Sequence, residues 1–129
     1  MSSLKRRADG IIKLTPATDL TGKEGYGVTW SGDTATLGAS ASVHHRGIIL
    51  EGGTVAEGVT VAILGAINGS VDVKLSGTVT RGDNLQQAAD GTFVTDAGTG
   101  ARVLNATADQ SGVTGDLIPA FLRAPISLT

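Results

Sequence analysis

Two adjacent histidines, His44 and His45, are the only imidazoles in the chain, so acid–base or metal chemistry has to be sought there first. Neighbours on a strand point to opposite faces, so this pair is not arranged to hold one ion, and a surface or subunit-interface position is the expected role. Cysteine is absent, which removes disulfides, thiolate nucleophiles and the common zinc frameworks together. A nucleophile would have to be Ser or Thr, yet no Gly-x-Ser-x-Gly elbow occurs. No phosphate-binding Gly-x-x-x-x-Gly-Lys-Ser/Thr occurs either, and Gly98-Thr99-Gly100 lacks the third glycine and the βαβ setting of a dinucleotide loop. The nine Asp residues sit mostly beside Gly or in polar links, as turn formers do, rather than as a paired general acid and base. The expectation is a protein that is not an enzyme and has no catalytic, cofactor or metal residues.

Three short motifs read more simply as structure. Arg81-Gly82-Asp83 spells an adhesion tripeptide, but it follows the strand-like Gly77–Thr80, where a tight turn is due. Asn68-Gly69-Ser70 and Asn105-Ala106-Thr107 match the glycosylation sequon, and the first is better used as a turn.

The elements that would position any site are short strands. From Tyr26 onward, short apolar runs are broken by Gly, Asp, Asn and Thr. Candidates are Val28–Ser31, Thr34–Leu37, Arg46–Glu51, Thr92–Thr95, Arg102–Ala106 and Leu117–Leu122, with Gly10–Leu14 as a further short strand. Gly32-Asp33, Gly52-Gly53, Asp90-Gly91 and Gly115-Asp116 mark turns between them. Thr60–Ile67 and Ser70–Leu75 flank Asn68-Gly69, which predicts a two-residue hairpin pairing Ala66 with Val71, Leu64 with Val73 and Ala62 with Leu75. Asp83–Ala89 is expected as one helical turn. Pro119 within the last strand implies an edge position or a bulge.

Composition sets the scale. The chain is 40% hydrophobic with 19 glycines but only 3% aromatic, so its core must be built from Val, Ile, Leu and Ala. With 129 residues it is one domain's worth of chain. No run of 18 apolar residues suggests a membrane span, and the basic Leu4–Arg7 stretch is not followed by the apolar region of a signal peptide. Charge is uneven: Lys5, Arg6, Arg7 and Lys13 face a single acid, Asp9, in residues 1–13, whereas the remainder is acidic. The expected organisation is an extended arm over residues 1–24 and a single β domain over 25–129, a compact sandwich or barrel of short antiparallel strands. The acidic body and scarcity of rings argue against a nucleic-acid partner. Leu4, Ile11, Ile12 and Leu14 would supply most of the arm's affinity for a protein surface, with Lys5, Arg6, Arg7 and Lys13 setting orientation, since exposed ion pairs contribute only about 0–1 kcal/mol each. Tyr26 and Trp30, four apart, would anchor a core edge or, with His44 and His45, a subunit interface.

A family likeness rests on an ordered set of motifs: Gly47-Ile48-Ile49-Leu50-Glu51-Gly52-Gly53, Glu57–Ala62, Val73–Val79, Gly82-Asp83-Asn84-Leu85, Asp90-Gly91, and the closing Gly115-Asp116-Leu117-Ile118-Pro119-Ala120-Phe121. In order and spacing this stretch, about the last two-thirds of the chain, resembles the capsid cement, or decoration, proteins of tailed bacteriophages. Residues 26–45 fall outside the resemblance. It implies a structural protein of the virion, made in the host cytoplasm and bound to the outer surface of an assembled head. Its partners would be the major capsid protein and copies of itself, preferably as a homotrimer and otherwise as a dimer. No cofactor and no catalytic residue is implied. Other phage parts, such as a head-fibre base or a tail or adhesion component, form the alternative.

Overall fold

Runs of Val, Ile, Leu and Thr punctuated by glycine leave the backbone little choice but short strands and tight turns. The computed structural model describes residues 10–38, 45–67 and 69–129. Among these the regular structure is ten strands and one 3-10 turn, Ala89–Gly91, so the protein is all-β as its sequence predicts.

The first half forms a closed barrel. Its strands are β1 (Ile11–Pro16), β2 (Gly27–Ser31), β3 (Thr34–Leu37), β4 (Gly47–Glu51) and β5 (Val59–Ile63), in the order β1-β3-β2-β4-β5. Antiparallel pairing of β1 with β5 closes the ring. The β2–β3 hairpin pairs Ser31 with Thr34 across Gly32-Asp33. Gly32 takes φ +60°, as the first position of a type II′ loop requires. The one parallel pair of this barrel, β1 with β3, departs from the antiparallel expectation. Leu14, Val28, Ala35, Ile49, Val59 and Val61 fill the interior, aliphatic throughout.

The second half forms a five-stranded sheet of β6 (Ser70–Lys74), β7 (Asn84–Gln87), β8 (Phe93–Thr95), β9 (Arg102–Ala108) and β10 (Leu117–Leu128), ordered β6-β10-β9-β7-β8. Its two outer strands approach each other as well: Leu75, just past β6, bridges to Phe93 of β8, and Ser76 N donates to Phe93 O at 3.0 Å. Gly25 joins the halves, its N donating to Ile49 O of β4 at 2.8 Å and its O accepting from Lys74 N of β6 at 2.9 Å. Ile48, Ala62 and Leu64 from the barrel side pack with Val71, Val73, Leu75, Phe93 and Ile118 into one core between the halves.

Four expectations are corrected here. The segment 1–24 is not an arm from Gly10 onward: Ile11–Pro16 is a barrel strand paired on both sides, and Leu14 is only 7% exposed. Burying such a side chain stabilises by about 1.5–3 kcal/mol, more than an exposed ion pair at its surface could return. Asn68 lies outside the described residues, but the hairpin pairing expected around it is absent, because β5 pairs with β1 and β4 whereas β6 pairs with β10. The chain leaves β5 one residue after Ile63 and turns at Gly65 (φ +84°), with Ala66 N donating to Ile63 O. Ala62, Leu64, Val71, Val73 and Leu75 do share a core, but they meet face to face across the two halves instead of side by side. Asp83–Ala88 is not helical, and the 3-10 turn begins only at Ala89. Leu85 and Gln87 alternate inward on β7, which pairs with both β8 and β9. Pro119 lies on neither an edge strand nor the bulge. β10 is flanked by β6 and β9, and Pro119 stands where β9 ends, its O accepting from Asp109 N at 2.9 Å. No N–H is missed there because the ladder with β9 begins only at Ala120. The bulge falls between Leu122 and Ile126, around Pro125.

Candidate functional site

The polar centre of the molecule is interior. The backbone N–H of His45, which leads into β4, donates to Gln87 Oε1 at 2.9 Å, and Asn105 Nδ2 of β9 reaches the same oxygen at 3.5 Å. All three residues are buried, and the His45 imidazole stands edge-on to Phe93 with centroids 5.3 Å apart at 82°. Gly27 and Gly38 give the ring its space: a Cβ on Gly38 would lie 2.0 Å from His45 Cδ2, and one on Gly27 would lie 2.2 Å from Nδ1. His45, expected at the surface or a subunit interface, is 0% exposed and is an interior residue instead. His44 lies outside the described residues. A sequence signal existed in the glycines spaced around it, but only tertiary structure aligns them with the ring.

Tyr26 and Trp30 edge the barrel core, where both are partly buried. Each ring is covered by a cation: Lys23 Nζ sits 4.9 Å over Tyr26, and Arg46 Cζ sits 4.5 Å over Trp30 while Nη1 donates to Trp30 O. Such stacking contributes about 0.5–1 kcal/mol at exposed sites. Of the expected docking residues, Leu4, Lys5, Arg6 and Arg7 lie outside the described residues. Ile11 and Ile12 are half-buried in β1, Leu14 is in the core, and Lys13 is exposed.

The surface feature that sequence reasoning missed is on β10. Leu117 is 44% exposed and Phe121 49%, with the half-buried Pro119 between them, while Ile118 and Ala120 point into the core. In register beside this row stand Lys74, Asp72 and Ser70 of β6. The available signal was that Leu117–Phe121 is apolar at every position, more than a strand with one buried face needs.

Charge chemistry is sparse. Arg81 pairs with Asp109 at 3.2 Å on the surface, and Arg102 pairs with Asp96 through Nε. The Gly98 N–H and the Arg102 guanidinium hold the Asp96 carboxyl below its ordinary pKa. Asp19 is lowered likewise by the Thr21 hydroxyl and N–H. Among the described residues no three His, Asp or Glu side chains gather as a metal site, and no helix is long and apolar enough to cross a membrane. Asn105 is buried, so that sequon presents no acceptor side chain.

No protein-family model matches the chain, and no curated protein matches it in sequence. The fold, by contrast, has a solved counterpart: the crystal structure of the N base of the head fibre protein gp8.5 of bacteriophage phi29. It superposes with a TM-score of 0.61 over 87% of this chain and 92% of that one, at 14% identity. At that identity the likeness is one of fold.

Proposed function

We propose that this protein is a structural module of a bacteriophage virion, and that it acts as a cement protein on the outer surface of an assembled head, bridging major capsid subunits. One observation carries the reading: nearly the whole chain shares its architecture with the base of a phage head fibre. The ordered cement-like motifs support the same class from the sequence side. The second reading, a head-fibre base or another tail or adhesion component, is favoured by the same neighbour, which is itself the base of a head fibre.

Physically, the role is surface and not pocket. A protein that binds the assembled shell and not its free subunits stabilises the shell by linkage, and repetition over the lattice multiplies a modest contact. Self-association, as a trimer, belongs to the same reading, as does the absence of catalysis, cofactor and nucleic acid. Because β1 closes the barrel, the docking role expected of the N-terminal segment falls to Leu4, Lys5, Arg6 and Arg7, together with the exposed Lys13. The test removes residues 1–9 and leaves Gly10 and β1 in place. Full-length protein should decorate mature heads at regular lattice positions in an image reconstruction, and the truncated protein should lose most of that density while remaining folded. Density confined to a tail or fibre would give the second reading; no density on any particle would overturn both.

A further inference from the structure

Strand addition is a poor route to a partner for this fold. The barrel has no edge, and the second sheet spends its outer strands on Leu75–Phe93 and on Gly25 against Lys74. That leaves faces. On the outer face of β10, Leu117, Pro119 and Phe121 point the same way at alternate positions, and Phe121 is one of only four aromatic residues in the chain. Beside them on β6, Lys74 stands opposite Leu117, Asp72 opposite Pro119 and Ser70 opposite Phe121; Thr107 of β9 flanks Phe121 on the other side. An apolar centre with a polar rim is the anatomy of a protein interface.

We propose that this face seats a second copy of the same chain, apolar row against apolar row, with Lys74 of one copy on Asp72 of the next. The charges select the occupant. Asp72 and Lys74 are two residues apart on one face of β6, about 7 Å along the strand, and no ion pair within the chain engages either among the described residues. Opposite charges at that spacing are self-complementary: they pair reciprocally across a two-fold axis, or in rotation around a three-fold. The row alone falls short of the roughly 800 Å² per partner of a standard interface, so the contact is of modest affinity. The inference rests on the self-association in the reading above and assigns it a surface.

The experiment needs no shell. Sedimentation velocity on the full chain at about 50 μM, where contacts of micromolar affinity are populated, should show an oligomer. Phe121→Ser should weaken association by about tenfold or more, since it removes the largest apolar side chain of the row. Asp72→Lys and Lys74→Asp should each weaken it several-fold. The double exchange should restore it to within about twofold, as a paired contact demands. Unchanged thermal unfolding of each variant shows that the fold is intact. An oligomer indifferent to all four variants overturns this face while leaving self-association standing. A monomeric wild-type chain overturns both. A monomer whose Phe121→Ser variant loses occupancy on heads assigns the face to the shell and overturns the inference as well.

Discussion

The backbone N–H of His45 donates to Oε1 of Gln87 at 2.9 Å, across 42 positions of sequence, and thereby ties the entry of a barrel strand to an inner position of the second sheet. Gln87 is buried, so its carbonyl has been withdrawn from water to make this bond. Replacing it with Leu keeps the bulk and deprives the His45 N–H of that acceptor. Leaving a buried donor short costs about 1–3 kcal/mol. Gln87→Leu should lower the thermal midpoint by on the order of 5–10 °C in differential scanning calorimetry. Gln86→Ala is the control. Its Oε1 accepts from Ala97 N at the surface, and its loss should stay within about 1 kcal/mol.

Gly38 is required by space and not by φ. A methyl there would stand 2.0 Å from His45 Cδ2 and 2.2 Å from Nε2. Gly38→Ala should therefore cost about 1–3 kcal/mol as overpacking. Removing the ring as well should relieve the clash, so the Gly38→Ala, His45→Ala pair should be less destabilised than the sum of the singles in urea unfolding. Simple additivity would remove the steric explanation. Gly22 makes the contrast: nothing lies within 4 Å, but its φ is +78°, and Gly22→Ala should cost only about 1 kcal/mol from backbone conformation.

Asp96 gives the molecule an acid-sensitive contact. Its carboxylate accepts from the Gly98 N–H at 2.9 Å and from Arg102 Nε, while Arg102 Nη1 donates to Gly100 O, so the loop between β8 and β9 closes on this pair. The folded pKa is lowered, so the stabilisation is complete above the unfolded carboxylate value of about 3.9 and disappears as pH falls through and below it. The urea midpoint should hold steady from pH 7 to about 5 and fall towards pH 3. Asp96→Asn should lower the neutral plateau and flatten the acid limb. In a carboxyl-detected NMR titration, Asp96 should change below the ordinary Asp value of about 3.9.

How far the sequence could be read depends on what each signal reports. Thr34–Leu37 was bounded correctly because Gly32-Asp33 is a local turn and its hairpin partner is adjacent. Alternation along Ala62–Leu75 was informative about burial, since Ala62, Leu64, Val71, Val73 and Leu75 are all in one core. A period of two says which face is buried, not which strand lies alongside, and β5 takes β1 and β4 as neighbours where the Asn-Gly signal points to β6. Asp83 had the chemistry of a helix cap, but Leu85 and Gln87 alternate in a stretch too short for either period to declare itself. His45 looked like a surface residue because nothing local marks the pocket between Gly27, Gly38 and Phe93. The Leu117–Phe121 row was legible in principle, as apolar residues on both parities of one strand.

The adhesion tripeptide Arg81-Gly82-Asp83 is a folded turn with one carboxylate oxygen of its acid already engaged. Gly82 takes φ +94°, and its N–H donates to Ala108 O at 2.8 Å. Asp83 Oδ2 accepts from Thr80 N at 3.0 Å and from Thr95 Oγ1 at 2.9 Å, and Asp83 N donates to Thr80 O. Arg81, for its part, reaches to Asp109. A receptor that coordinates a metal through both oxygens of this Asp would compete with the two side-chain bonds that Oδ2 already accepts. Charge-assisted bonds of this kind contribute about 1.5–3 kcal/mol each when buried and less at a partly exposed site such as this one. Asp83→Ala should thus lower stability by about 1–2 kcal/mol, seen as a shifted urea midpoint at constant slope. Immobilised wild-type protein should support no cell attachment beyond that of the Asp83→Ala variant. Attachment that depends on Asp83 and is blocked by a soluble peptide of the same tripeptide would mean the turn opens readily, and would return the motif to the list of functional sites.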